Sequence, residues 1–279
     1  MKIRFIDIQF HNVCNRQCWF CPPHTTNKIN EYKEMSKNTI NRVVDFISYI
    51  CSNDMIDGKL AMCTNRYNEP FCRTDLYIKN LNILYNSLPK QTVALACNTN
   101  GDFLTSDILE NIINMLHHIT ISLYDKNTVE SLEYVYKIFN KAYIKNFFID
   151  KVSKEIRFVY KEKEVFIKIN RGSNTNNFVR SRGSILDISS PIRTEECSVV
   201  GKMIAINYDG TISPCCDLYQ GNIEHKDVFP YININDFNNE DFVNKIDVIF
   251  NEFKKRSLYN KTCRNCTSTE YNSMGEHLK

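Results

Sequence analysis

The chain has 279 residues, enough for one large domain, or one plus a small appendage. With 43% hydrophobic residues and a net charge of +3 from well-mixed charges, it has a globular composition; its RSR and KK pairs read as solvated surface, so nucleic acid is excluded as a partner. No run of about 18 apolar residues predicts a membrane span, and the alternating start MKIRFIDIQFHN, with Asp7 inside it, reads as a strand and not as a secretory signal.

Strand IRFIDIQF leads into HNVCNRQCWFCPP, a loop carrying Cys14, Cys18 and Cys21. Helix MSKNTINRVVDFISYIC follows, with Ser36 as its N-cap. Next come strand KLAMCTN, a helix from about Asp75 to Ser87, strand TVALACNTN, a helix TSDILENIINMLHHI from near Thr105, and strand ITISLYD. Strand and helix in alternation imply parallel strands with helical crossovers. Helix TVESLEYVYKIFNKAY precedes two β-rich runs, EIRFVY and EVFIKIN, joined through KEKE, which read as the last strands of a barrel or as an elaborated hairpin. Beyond about Pro191, MIAIN-YDG-TISPC reads as a hairpin turning at Asp209-Gly210, and a helix near NNEDFVNKIDVIFNEFKKR delivers the chain to Cys263.

Twelve cysteines without a signal peptide point to reduced thiols and metal in a cytoplasmic setting, not to disulfides. The spacing C-x3-C-x2-C of Cys14, Cys18 and Cys21, with Trp19-Phe20 before the third, can hold three irons of a four-iron cubane. With no fourth cysteine nearby in sequence, one iron stays open to a small molecule that offers an amine and a carboxylate. The same cysteines with His24 could instead hold zinc. Five more cysteines follow residue 190: Cys197, Cys215, Cys216, Cys263 and Cys266. Cys63 and Cys97 end apolar strand-like runs, and Cys51 and Cys72 have no partner spacing.

The first motif resembles the signature of radical S-adenosylmethionine enzymes. Cys197, Gly210 and Cys215 in the pattern C-x12-G-x4-C, followed by Cys263-x2-Cys266, resemble the twitch form of the SPASM auxiliary-cluster domain. NGDFLT (100–105) and SRGSILD (181–187) are similar to matching parts of the 2-deoxy-scyllo-inosamine dehydrogenase branch. The resemblance implies an α/β fold: a partial (β/α)6 TIM-like barrel over residues 1–190 and a small C-terminal α+β twitch domain over residues 191–279. It implies two [4Fe-4S] clusters and S-adenosylmethionine as cofactors. Cys14, Cys18 and Cys21 would ligate the first cluster, and Cys197, Cys215, Cys263 and Cys266 the second. In such barrels the chemistry sits at the C-terminal ends of the strands, where the first cysteine loop falls.

The resemblance also implies cofactor contacts from Phe20, the aromatic before the third cysteine, and from the segment matching the family's Gly-Gly-Glu-Pro. That segment is Tyr67-Asn68-Glu69-Pro70, with side chains where glycines would let the backbone approach the methionyl amine. Asn100, in the Asn98-Thr99-Asn100-Gly101 turn, and Ser122, ending the fourth strand, join it. Arg182 is expected to supply a fixed positive charge for the cofactor carboxylate or a substrate oxygen, and is a poor base. Cys216, beside the ligand Cys215, is either a small buried apolar residue or a hydrogen-atom donor, as in epimerising relatives. The expected reaction is oxidation of a secondary alcohol on an aminocyclitol or sugar, with Asp217, Glu69 or His24 as conceivable bases. The alternatives are an epimerase or a peptide-modifying enzyme using Cys216, and a non-catalytic zinc-binding module. Expected partners are a small-molecule substrate or short peptide and a flavodoxin- or ferredoxin-type electron donor, with no membrane. No leader-peptide recognition extension is expected before residue 1 or after residue 279.

Overall fold

The computed structural model describes residues 1–22, 31–169, 194–219, 229–230, 232–257, 261–264 and 266. His24 and Arg182 lie outside the described residues. Strands β1 (Ile3–Ile8), β2 (Ile56–Cys63), β3 (Val93–Thr99) and β4 (His118–Leu123) pair side by side in parallel. Their apolar runs are covered on both faces, as parallel strands with helical crossovers require. Three more strands, β5 (Ile144–Asp150), β6 (Glu155–Tyr160) and β7 (Lys163–Ile169), follow. The two β-rich runs are both things the sequence allowed. β6 and β7 form an antiparallel hairpin, and β7 is also the next parallel strand beside β4.

β8 (Met203–Ile206) and β9 (Ile212–Ser213) form the hairpin expected around Asp209-Gly210. Gly210 has φ +85°, and a Cβ there would come within 2.5 Å of Asn235 and 2.6 Å of Asn233, so the turn needs glycine. The described sheet runs β5-β6-β7-β4-β3-β2-β1-β8-β9. Its parallel part is thus β7-β4-β3-β2-β1-β8: the sixth parallel strand flanks β1 and does not extend the row beyond β7.

The helices cover this sheet for local reasons. α1 (Lys37–Ser52) starts where Ser36 Oγ accepts from Thr39 N at 3.0 Å, and buries Ile40, Val43, Phe46, Ile47 and Ile50 along one stripe. α2 (Thr74–Ser87) follows a 3-10 turn at Pro70–Arg73. α3 (Ser106–Ile112) is shorter than the sequence suggests. A 3-10 turn at Ile113–Met115 ends it, because His118-Ile119-Thr120-Ile121 is drawn into pairing with β3. α4 (Thr128–Ile138) begins with a capping box between Asn127 and Glu130 and stops short of the end of the run read as helix, which a 3-10 turn at Lys141–Tyr143 closes before β5 begins. α5 (Asn239–Arg256) lays Phe242 edge-on against Phe46 of α1 at 5.1 Å, and α6 (Lys261–Arg264) is a single turn carrying Cys263. One buried cluster contains residues of β1, α1, β8 and α5 alike. None of the described helices is long and apolar enough to cross a membrane.

Candidate cofactor and cluster site

The C-terminal ends of the parallel strands surround a cavity of about 620 Å³, a size suited to small molecules. Cys14, Cys18 and Cys21 line it together, from the loop after β1. Phe20, Tyr67, Asn68, Glu69, Asn100 and Ser122 line it as well, so every described residue expected to hold the cofactor meets the cysteine loop in one place. Cys21 N donates to Cys18 O at 2.9 Å, closing the C-x2-C step as a turn. Phe20 sets its edge against Tyr124 at 5.5 Å. Burial pushes the Cys14 thiol up to about 11 and raises that of Cys18, which Arg16 partly offsets. A bound metal would displace these protons, since the thiolate is the ligand form. Among the described residues no three Cys, His, Asp or Glu side chains stand at the spacing of a single metal ion. A cubane takes its thiolates on separate corners, so three thiols opening on one cavity fit a four-iron cluster by donor type and placement. Cys72, which has no motif spacing, stands within electrostatic reach of Cys14.

The loop is tied down between its cysteines. Arg16 grips Asp102 with Nε at 2.7 Å and Nη2 at 2.5 Å, and Asn15 Nδ2 donates to the same carboxylate at 2.7 Å. The Arg16 guanidinium holds the Asp102 carboxyl below the usual carboxylate range. Asn100 Nδ2 donates to Asn15 Oδ1 at 2.8 Å, so the turn after β3 holds the loop after β1. Gly101 makes that turn with φ +80°, and a Cβ there would lie 2.9 Å from both Ile121 and Tyr134.

Glu69 is 2% exposed. Burial pushes its carboxyl up to about 7, against the opposing pull of the Asn100 N–H, the Thr99 hydroxyl and the Phe71 N–H, which donate at 2.7, 2.6 and 3.4 Å. The side chains at the two former glycine positions are absorbed by packing. Asn68 Oδ1 accepts from Arg66 N at 3.2 Å, and its amide faces His11, kept neutral by burial with its pKa lowered to about 4. Tyr67 donates its hydroxyl to the Cys216 carbonyl.

The far wall carries groups to which sequence reasoning gave no role: His118, Thr120, Glu155, Arg157, Phe166 and Lys168. Register explains why they meet. Thr120 pairs with Phe166 and Ser122 with Lys168 across β4 and β7, while Arg157 pairs with Phe166 and Glu155 with Lys168 across β6 and β7. Arg157 holds Glu155 at 2.7 Å and lies over the Phe166 ring, on which His118 stacks at 4.5 Å. The signal was the period-2 alternation in EIRFVY and EVFIKIN, which puts these residues on one face of their strands once the pairing is known.

The second cysteine set also converges. Burial raises the Cys215 thiol most, followed by Asp217 and by the thiols of Cys216, Cys197 and Cys263, which are therefore all within electrostatic reach. Cys266 N donates to Cys263 O at 3.1 Å, the same turn that Cys18 and Cys21 make. Cys197 N donates to Ser257 Oγ at 3.1 Å, which anchors the first member to the end of α5. Cys216 is buried in the core and does not line the cavity.

Residues 197–267 match the SPASM family, an iron-sulfur cluster-binding domain. The crystal structure of BtrN in complex with AdoMet and 2-DOIA superposes with a TM-score of 0.66 at 19% identity, covering 96% of this chain and 94% of that one. Native anSMEcpe with bound AdoMet gives 0.50 at 14% identity, covering 94% and 87%. The C-terminal part of the chain is similar to the SPASM iron-sulfur domains, and the whole chain shares the fold of these two AdoMet-bound structures. No curated protein matches it significantly. At these identities the two structures establish the shared fold. The SPASM match spans every cysteine of the second set, from Cys197 to Cys266, and includes the hairpin that joins the main sheet beside β1.

Proposed function

We propose that this chain is a radical S-adenosylmethionine oxidoreductase with two four-iron clusters, oxidising a secondary alcohol on a small polar substrate of the aminocyclitol or sugar class. The observation that carries this reading is the single cavity shared by Cys14, Cys18, Cys21 and the Tyr67-Glu69 segment. The fold shared with BtrN, whose complex holds AdoMet and 2-DOIA, supports it. Bound there, a reduced cluster with S-adenosylmethionine supplies a 5′-deoxyadenosyl radical that removes a hydrogen atom.

The chain's own residues then have separable tasks. Glu69, once ionised, would receive the methionyl amine, and Asn100 and Ser122 would offer polar contacts to the cofactor. The Glu155-Arg157 pair and Lys168 offer fixed charges and hydrogen bonds of both senses to hydroxyl and amino groups of a substrate. The strands exclude bulk water around the reacting carbon, which limits side reactions. Cys197, Cys215, Cys263 and Cys266 would hold the second cluster, which would supply the electron acceptor that alcohol oxidation needs.

The test is anaerobic reconstitution with iron, sulfide and zinc counts, followed by reduction with S-adenosylmethionine and an assay for 5′-deoxyadenosine. About eight irons per chain with cofactor cleavage is the expected result. About four irons would remove the second cluster and the oxidation mechanism with it. Zinc without iron, and no cleavage, would overturn the reading.

A further inference from the structure

Arg66 follows β2 in a segment whose sequence suggested no role for it, one residue before the Gly-Gly-Glu-Pro counterpart. Its guanidinium reaches across to the SPASM region. Nη1 donates to Asn207 Oδ1 at 2.7 Å, and Nη2 donates to the Cys215 carbonyl at 3.1 Å and to the Leu218 carbonyl. Its Cζ lies 4.6 Å over the ring of Tyr67. Tyr67 in turn donates to the Cys216 carbonyl and meets Tyr219 edge-on at 5.3 Å. Two adjacent side chains of the cofactor-facing segment therefore hold the backbone at 215, 216 and 218, and both also line the cavity.

Holding a loop needs donors, and a neutral amide would serve. A guanidinium adds a charge that no accessible pH removes, and this one sits against the carbonyl of a cysteine in the second set. Its Nε–H is buried and has no partner among the described residues, so that end of the guanidinium faces protein and is only partly screened by water. Reducing a four-thiolate cluster adds one negative charge to it. A part-buried cation beside a ligand favours the reduced form, since net charge and hydrogen bonding set cluster potentials. The opposing charge is Asp217, 2% exposed and within electrostatic reach of the Cys215 thiol.

We infer that Arg66 is a positioning residue that raises the reduction potential of the second cluster, and that Arg66 and Tyr67 together fix the loop of that cluster against the cofactor cavity. The inference rests on the two-cluster reading above. Its test uses the full chain with Cys14, Cys18 and Cys21 changed to Ala, so that only the second cluster loads. Dithionite supplies the electron in a redox titration followed by electron paramagnetic resonance, with iron counted in each sample. Arg66→Gln is expected to keep its iron and shift the midpoint to lower potential, and Arg66→Lys to stay near the parent. Arg66→Gln with full iron and an unchanged midpoint would overturn the inference. Should Arg66→Gln lose its iron, Asp217→Asn reads the same field with the opposite sign: an upward shift supports the inference and an unchanged midpoint overturns it. A parent that loads no iron would instead sink the two-cluster reading.

Discussion

Replacing Glu69 by Gln should abolish a pH dependence of stability that the wild-type chain carries between its ordinary carboxyl value of 4.5 and the raised value of about 7. The folded chain keeps the Glu69 proton through this window, whereas the unfolded chain has already released it. Stability from this group is therefore full below 4.5 and is lost as pH rises through about 7. The difference corresponds to about 3 kcal/mol, a sizeable share of the roughly 5–15 kcal/mol that holds a domain folded. The three hydrogen bonds to the carboxyl group are already included in that net upward shift. Gln keeps the shape and one acceptor, and the Thr99 hydroxyl can rotate to accept from the new amide, so a pH-independent cost of about 1 kcal/mol remains. The assay is urea unfolding of the reduced, cluster-free wild type and variant across this pH range, taking the difference at each pH so that other carboxylates cancel. The variant should gain on the wild type by about 3 kcal/mol from the acid to the neutral end. A difference that stays flat would refute the account of a desolvated, protonated Glu69. The same proton links to function. If Glu69 receives the methionyl amine as an anion, S-adenosylmethionine binding should weaken up to about tenfold for each pH unit below neutrality, and Glu69→Gln should remove that slope.

Asp102→Asn weakens the clamp on the cysteine loop. With both partners partly exposed, the stability loss should be only about 1 kcal/mol, but iron loading at Cys14, Cys18 and Cys21 should drop, as an iron count after reconstitution would show; normal loading would mean the loop holds without its anchor. Gly101→Ala forces a side chain into a left-handed turn against Ile121 and Tyr134 and should cost about 2–4 kcal/mol in denaturant unfolding; a loss below about 1 kcal/mol would show that the turn relaxes freely. Cys215→Ala should lose the second cluster while Cys216→Ala keeps it; the reverse pattern of iron counts would exchange their roles.

Several features were legible because one local cause fixes each of them. Ser36 caps α1 and the Ile40 to Ile50 stripe orients it, whatever lies elsewhere in the chain. The cysteine spacing places its thiols on one loop without reference to the fold. Other features depend on partners distant in sequence. β5 was missed because IKNFFID is an edge strand with most of both faces exposed, so no alternation marks it, and Asn146 breaks its register with φ +52°. Glu155, Arg157 and Lys168 form a cavity wall only after β6 and β7 have paired and β7 has found β4. Arg66 looked like an ordinary loop cation, because the carbonyls it reaches lie about 150 residues away. MIAI, buried throughout, announces a strand but not the sheet edge it joins.

That edge decides how the two cysteine sets can work together. Neighbouring strands stand about 4.8 Å apart. A sixth parallel strand added beyond β7 would lie five strands from β1, roughly 24 Å measured along the sheet. β8 instead pairs directly with β1, Ile206 opposite Ile8, so the turn that follows it opens beside the loop of Cys14, Cys18 and Cys21. Asn207, the first residue after β8, is already within reach of Arg66 at 2.7 Å, and the backbone from Cys215 to Leu218 is held from the same side chain. The placement of this four-residue strand thus brings the backbone from Cys215 to Leu218 against Arg66 and Tyr67, which line the cavity on the side where β1 and β2 end, on the flank opposite the charged wall of β6 and β7. A substrate held by that wall would lie between the charges that orient it and the cluster proposed to take its electron. A strand on the other edge would have put both on one side and left the Arg66-Tyr67 contacts out of reach.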